Sequence, residues 1–245
     1  MLKYAKPLKI SFCTTCMNRT EYLKQTLPKN IEDNNSPFVE FVVLNYSSKD
    51  DLDNWIKTTG FVASGKVKYY KLDGKDHFHM SHAKNVAGKL GSGDIIMNLD
   101  ADMYAGKDLY KQLLSVFKHE NTTFACAIDY VNGKMATTKQ CFLDITGYDE
   151  KMMGWGVEDF DMMQRSRFYG NRFAYNKNRE FSVSIPHDNE TRVKNFNPKF
   201  KNMDTTQQAN AYIHKYNMVN KIIAANRGQW GKAKITKNFS QQIEI

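Results

Sequence analysis

The hydrophobic positions change period repeatedly along the first half of the chain. Residues 8–16, "LKISFCTTC", form a short apolar run of the kind that builds a buried strand. Residues 19–33 place Leu23, Leu27 and Ile31 four apart, which predicts a helix with one apolar stripe. The exchange then recurs. Strands are predicted over 38–48, 66–74 and 94–104, and helices over 49–60, 81–93 and 106–120, with glycine closing two of the helices. This rhythm predicts an α/β domain with a mostly parallel central sheet flanked by helices. In such sheets, ligands bind beyond the carboxyl ends of the strands.

The second half is less regular. A strand is predicted over 123–131, a helix over 161–171, strands and loop over 172–189, and a long helix over 204–228. Ile213, Tyr216, Val219, Ile222 and Ile223 share one side of that last helix and form its expected packing face. No repeat, low-complexity tract or linker interrupts the chain. The expectation is one domain over 1–203, with a C-terminal helical extension, 204–245, packed on it.

Composition removes several classes. With 245 residues and 41% hydrophobic content the chain can bury a core, so it is not a disordered tail. No apolar run approaches the roughly 20 residues of a membrane span. The first residues, "MLKYAKPLKISFCTTC", carry a basic flank, but the run that follows is short and interrupted by polar residues, a poor signal peptide. Four cysteines are too few for a disulfide scaffold, and the CxxC of Cys13 and Cys16 lacks the second pair a zinc site needs. A soluble, cytoplasmic protein is expected. The net charge of +9 suits an anionic partner, such as a nucleotide or the inner face of an anionic membrane touched peripherally. The basic residues are scattered, without the dense tract of a nucleic-acid-binding arm, so no nucleic acid is expected.

Candidate chemistry begins at 93–104, "GDIIMNLDADMY". A strand alternates faces, so Asp100 and Asp102 point the same way where this buried strand surfaces. Two such carboxylates repel unless a cation lies between them, and hard oxygen ligands suit Mg²⁺ or Mn²⁺. Further on, "GWGVEDFD" sets Glu158 and Asp159 beside Trp155, whose flat apolar face suits a sugar ring, and beside Gly154 and Gly156, which allow close approach. Asp159 and Asp161 are also candidate N-caps for the helix over 161–171, with Asp161 the better placed. His187, in "SIPHDNETR", can ligate Mn²⁺ as a neutral imidazole. His77, His79 and His82 cluster before the predicted helix at 81–93 and are read as lining the ligand side rather than holding zinc.

These stretches together resemble the GT-A fold glycosyltransferases. "IIMNLDADM" resembles their DxD strand, "CMNRTEYL" the segment after the first strand, and "SHAKNVAGKLGSGD" the helix leading into the DxD. "GWGVEDFDMMQR" is similar to the GWGxED motif of beta-1,4-galactosyltransferases and related bacterial enzymes. The resemblance spans roughly 8–195. It implies a Rossmann-like GT-A fold and inverting transfer of galactose, N-acetylgalactosamine or glucose from a UDP-sugar to a glycan or lipid-linked acceptor. It implies Asp100, Asp102 and His187 on Mn²⁺ or Mg²⁺, with Asp159 as base. Gly154, Trp155, Gly156 and Glu158 would meet the sugar or acceptor. Thr14, Thr15, Asn18, Arg19, Asn45, Lys84 and Asp100 would contact the nucleotide. Asn45 stands where many relatives carry an acidic residue. A retaining transferase of the same fold is the nearest alternative.

Overall fold

The computed structural model describes residues 7–118, 121–127 and 131–245. The ends of two predicted elements, residues 119–120 of one helix and 128–130 of one strand, lie outside the described residues. The alternation expected for the first half is present. β1 (Ile10–Cys16), β2 (Val39–Tyr46), β3 (Val67–Leu72) and β4 (Ile95–Asn98) are linked by α1 (Thr20–Asp33), α2 (Leu52–Thr58) and α3 (Met80–Leu90). They pair in parallel in the order β3-β2-β1-β4. Both faces of this core are covered, so its strands are apolar on both sides. Ile10, Phe12, Val43 and Met97 join the core beneath α1, α2 and α4 (Leu109–Val116). Cys13, Val42, Leu44 and Ile96 join the core beneath α3. Cys13 and Cys16 thus enter different cores. Burial pushes both thiols up to about 12, which makes them inert packing groups.

The outer strands are less parallel than the sequence rhythm implies. β5 (Thr122–Ala127), β6 (Val131–Thr138) and β7 (Arg172–Asn176) extend the sheet beyond β4, and both the β4–β6 and β5–β6 pairings are antiparallel. β6 and the helix after it, α5 (Lys139–Asp144), occupy a stretch to which the hydrophobic pattern assigned no element. At the other edge β8 (Lys234–Lys237) and β9 (Gln241–Glu244) form a hairpin antiparallel to β3. The C-terminal segment is therefore not purely helical. Its last strands complete a nine-stranded sheet among the described residues, in the order β7-β5-β6-β4-β1-β2-β3-β8-β9.

Three further expectations are corrected. β4 ends at Asn98, and Met103 N–H bonds back to Asp100 C=O at 3.0 Å, so the two aspartates sit in a turn rather than on a strand. The helix over 204–228 is shorter, α8 (Met203–Val219). Ile222 N–H reaches Asn217 C=O at 2.8 Å and Lys221 N–H reaches Met218 C=O at 3.2 Å, with Lys221 at φ 48°. That is a Schellman stop with lysine where glycine is usual. The helix also packs through its polar side. Thr206, Asn210 and Asn217 are buried, while Tyr212, Tyr216 and Val219 are exposed.

The polar face has a reason. It meets backbone groups and charges of the 149–161 region, which need hydrogen-bond partners rather than apolar contact. Asn210 accepts from Met153 N–H at 3.2 Å and donates to Gly156 C=O at 2.9 Å. Thr206 Oγ1 accepts from Trp155 N–H at 3.3 Å. Deeper in, α6 (Glu158–Phe168) carries Asp161, which accepts from Asn217 Nδ2 at 3.1 Å and lies 3.1 Å from His214 Nδ1. Asp161 also accepts from Arg165 Nε at 2.6 Å, so it is a buried ion-pair partner and caps nothing. Arg165 donates onward to the carbonyls of Ile145, Gly147 and Ile223.

Replacing Arg165 with Met should therefore take the guanidinium away from a buried carboxylate and three carbonyls. The expected loss is about 3–5 kcal/mol in urea denaturation. A loss below about 1 kcal/mol would show that this network does not hold α6 in place.

Candidate active site

A cavity of about 1000 Å³ opens at the carboxyl ends of β1 and β4. Its lining includes Thr15, Arg19, Lys84, Asp100, Asp102 and His187, together with the 155–160 stretch. Residues far apart in sequence thus meet in one place.

Lys84 organises the inner wall. It points from α3 toward the start of α6, 3.0 Å from Glu158 Oε1 and 2.9 Å from Asp159 Oδ1, and is only 3% exposed. Burial alone would lower its ammonium, but the charges of Asp159, Glu158 and Asp100 hold it well above the usual lysine range. Lys84 is expected at the nucleotide; its bonds go to the two motif carboxylates instead. Asp159 feels burial and the charge of Glu158, which push it up to about 6 against the pull of Lys84. Both acids occupy the first turn of α6, where the helix dipole favours negative charge. No side-chain cap starts that helix. Val157 precedes it at φ 77°, a left-handed conformation that is costly for a β-branched residue and typical of functional sites.

Gly133 of β6 forms the floor. A Cβ there would lie 3.1 Å from Asp100 Oδ2 and 3.3 Å from Asp159 Oδ2, and its φ is +81°. The two carboxylates therefore flank one glycine. Asp100 accepts from Asn98 Nδ2 at 2.9 Å, and burial, with the charges of Asp102 and Asp159, raises its carboxyl.

Asp102 faces another partner. Its Oδ2 is 2.7 Å from His187 Nε2 and 4.0 Å from Arg19. Eighty-five positions separate the pair in sequence, yet two backbone links hold the segments that carry them: Ile185 N–H donates to Asp102 C=O, and Met103 bridges Ser184. Two carboxylates and one imidazole are a donor set that suits Mn²⁺ or Mg²⁺. Among the described residues no compact group of three such side chains forms, so the pair Asp102–His187 is the preassembled part.

Other expected contacts divide. Thr15 lines the cavity, whereas Thr14 is buried in the sheet. Arg19 lines it but also holds the 187–196 segment, donating to the carbonyls of Thr191 and Arg192 at 3.0 and 3.1 Å. Asn18 does similar work through Asn195 at 3.0 Å. Asn45 is not in the lining. It is 1% exposed and bonds Tyr69, Asp53 and Ser48. Trp155 and Gly156 reach the cavity, while Gly154 packs behind it, where a Cβ would lie 2.5 Å from Thr206 Cγ2. His79 and His82 do not line the ligand side. His79 caps α3 and meets Glu150 C=O, while His82 meets Tyr46 OH and Lys232 C=O; burial lowers both imidazoles.

Several residues were not anticipated. Lys134 of β6, fully buried, donates to the carbonyls of Tyr104, Phe181 and Val183 at 2.6, 2.8 and 3.1 Å. It thereby staples the DxD turn to the segment leading to His187. Burial lowers its ammonium to about 8. Arg192 lies over the Trp155 ring at 5.4 Å. The one sequence signal was Gly133 beside Lys134, since an isolated glycine in a strand marks close backbone approach.

Comparison with known proteins bears on the fold. A family model described as the N-terminal domain of galactosyltransferase matches residues 119–192. S. aureus TarS 1–349 in complex with UDP superposes with a TM-score of 0.59 at 15% identity, over 70% of this chain and 58% of that one. The mannosyltransferase PcManGT from Pyrobaculum calidifontis, in complex with GDP-Man and Mn²⁺, gives 0.58 at 15% identity, over 70% and 55%. The catalytic domain of Drosophila beta1,4-galactosyltransferase 7, in complex with xylobiose, gives 0.56 at 18% identity, over 81% and 79%. The chain spans a little over half the length of the first two structures. No curated protein sequence matches it. The fold is that of the GT-A glycosyltransferases.

Lys84→Met removes the cation that opposes the rise in Asp159. The Asp159 carboxyl should then titrate above about 6, read by ¹³C NMR of the carboxyl carbon. An unchanged titration would show that Lys84 does not set its charge.

Proposed function

We propose that the chain is a metal-dependent, inverting glycosyltransferase that moves galactose, N-acetylgalactosamine or glucose from a UDP-sugar to a hydroxyl of a glycan or lipid-linked acceptor. The observation that carries this reading is the facing of Asp159 and Asp100 across Gly133, with Asp102 and His187 paired in the same cavity. The galactosyltransferase family match and the UDP held by TarS support the donor class. The Mn²⁺ in the PcManGT complex supports the metal.

The chain's own residues perform distinct tasks. Lys84 fixes Asp159 through Oδ1, and Oδ2 beside Gly133 takes the proton of the acceptor hydroxyl. The acceptor oxygen then bonds to C1 of the donor sugar. The bond from C1 to the phosphate oxygen breaks, and UDP leaves with the electron pair on the face opposite the attack. Asp102 and His187, with Asp100 beside them, would hold Mn²⁺ or Mg²⁺, which supplies positive charge to the departing diphosphate. Arg19, in the same lining, adds a fixed cation. Trp155 offers the acceptor an apolar wall, and Glu158 holds Lys84 in line. A carboxylate that titrates near 6 is ionised at neutral pH yet basic enough to accept a proton, so activity should fall as pH drops below about 6.

Asp159→Asn keeps the shape and removes the proton acceptor. Turnover should fall on the order of 10²–10⁴-fold, while UDP affinity in Mn²⁺ stays near wild type by calorimetry. Retained turnover would reject the base and favour a retaining mechanism. For the metal pair the split reverses: Asp102→Asn and His187→Ala should each lose Mn²⁺-dependent UDP binding without loss of fold. Unchanged Mn²⁺-dependent affinity in both would remove the metal assignment.

A further inference from the structure

The helix that shapes the GWG loop also carries a face the proposed chemistry does not use. On α8 the buried residues Thr206, Asn210 and Asn217 lie on one side. Tyr212, Tyr216 and Val219 lie on the other, at the i, i+4, i+7 spacing of a single stripe. They are 75%, 61% and 72% exposed, more than any other large hydrophobic side chain among the described residues. Ile223 continues the apolar surface just past the helix end and is also exposed. Packing within the chain does not explain this stripe, because the polar side already does the packing.

Charge says what covers it. From Lys199 to Arg227 the segment holds five cations, Lys199, Lys201, Lys215, Lys221 and Arg227, against one carboxylate, Asp204. All five cations are exposed. A second copy of the chain would bring the same positive excess against itself. A neutral apolar partner would leave the cations unanswered. Tyrosine is also the residue that suits a boundary with one wet and one apolar side. A stripe about 10 Å long, from Tyr212 to Val219, is too small to bury a stable protein interface, yet it matches a helix lying shallowly in a headgroup layer.

We propose that the outer face of α8 docks the protein on an anionic lipid surface, with Tyr212, Tyr216 and Val219 entering the headgroup boundary and Lys215 and Lys221 meeting lipid phosphates. Among the described residues no helix is long and apolar enough to cross a membrane, so this contact would be peripheral and reversible.

The test is flotation of the full chain with vesicles of phosphatidylcholine alone and with 30% phosphatidylglycerol, at about 50 and 300 mM salt. Binding to the anionic vesicles should appear at low salt and fall as salt rises. Lys215→Glu with Lys221→Glu should weaken it at least about tenfold, and Tyr212→Ser with Val219→Ser should weaken it at both salt levels. Both variants should keep the wild-type melting temperature and UDP affinity, because none of these residues lines the cavity. Three results would overturn the proposal: no binding of the wild type at low salt, equal binding of both variants, or a wild-type dimer by light scattering that Tyr212→Ser with Val219→Ser dissolves. None of these readouts depends on turnover, so they stand apart from the test of the transferase reading.

Discussion

The site depends on one buried ammonium. Lys84 lies where α3 passes the start of α6, and its two charge-assisted bonds hold Glu158 and Asp159 in fixed places. Without it, those carboxylates and Asp100 would share a poorly solvated wall without the ammonium that pairs two of them, and protonation would relieve the repulsion. With it, one carboxylate oxygen of Asp159 is committed and the other is left beside Gly133 at the cavity floor. One pair of contacts thus sets both the direction of the Asp159 carboxylate and its charge.

Around that contact the structure uses polar groups as carpentry. Lys134 gathers three carbonyls from two separate segments and so brings the DxD turn beside His187. Asn210 and Thr206 of α8 satisfy the backbone of the GWG loop, which is why that helix turns its polar side inward. Arg165 and Asp161 lock α6 beneath. These bonds are expensive to break in a dry interior, so the loops that carry the chemistry behave as parts of the rigid frame.

Much of this was legible in the sequence, and the failures share a cause. The β1–α1–β2–α2–β3–α3–β4 series follows from hydrophobic period, because both faces of the parallel core are apolar. Asp102 and His187, proposed from motif position, do meet at 2.7 Å. What the pattern could not show was where buried polar side chains find partners. Asn45 lies outside the cavity lining, bonded to Tyr69 and Asp53, while Lys84 lines the cavity with its ammonium bonded to Glu158 and Asp159. The face of α8 was inverted because period identifies an apolar stripe and not which side packs. Its end was overrun because Lys221 adopts the left-handed turn that glycine usually marks. β6 was missed because Gly133 and Lys134 break the alternation for the sake of the site itself.

The central claim is that Asp159 acts as a base opposite a departing diphosphate. The most direct measurement is the stereochemistry of UDP-sugar hydrolysis, with water standing in for the unknown acceptor. The chain is incubated with UDP-α-galactose or its N-acetylgalactosamine or glucose counterpart and Mn²⁺, and the free sugar is followed by real-time proton NMR before mutarotation. Water activated by Asp159 attacks the face away from UDP, so the β anomer should appear first. First appearance of the α anomer would contradict the account.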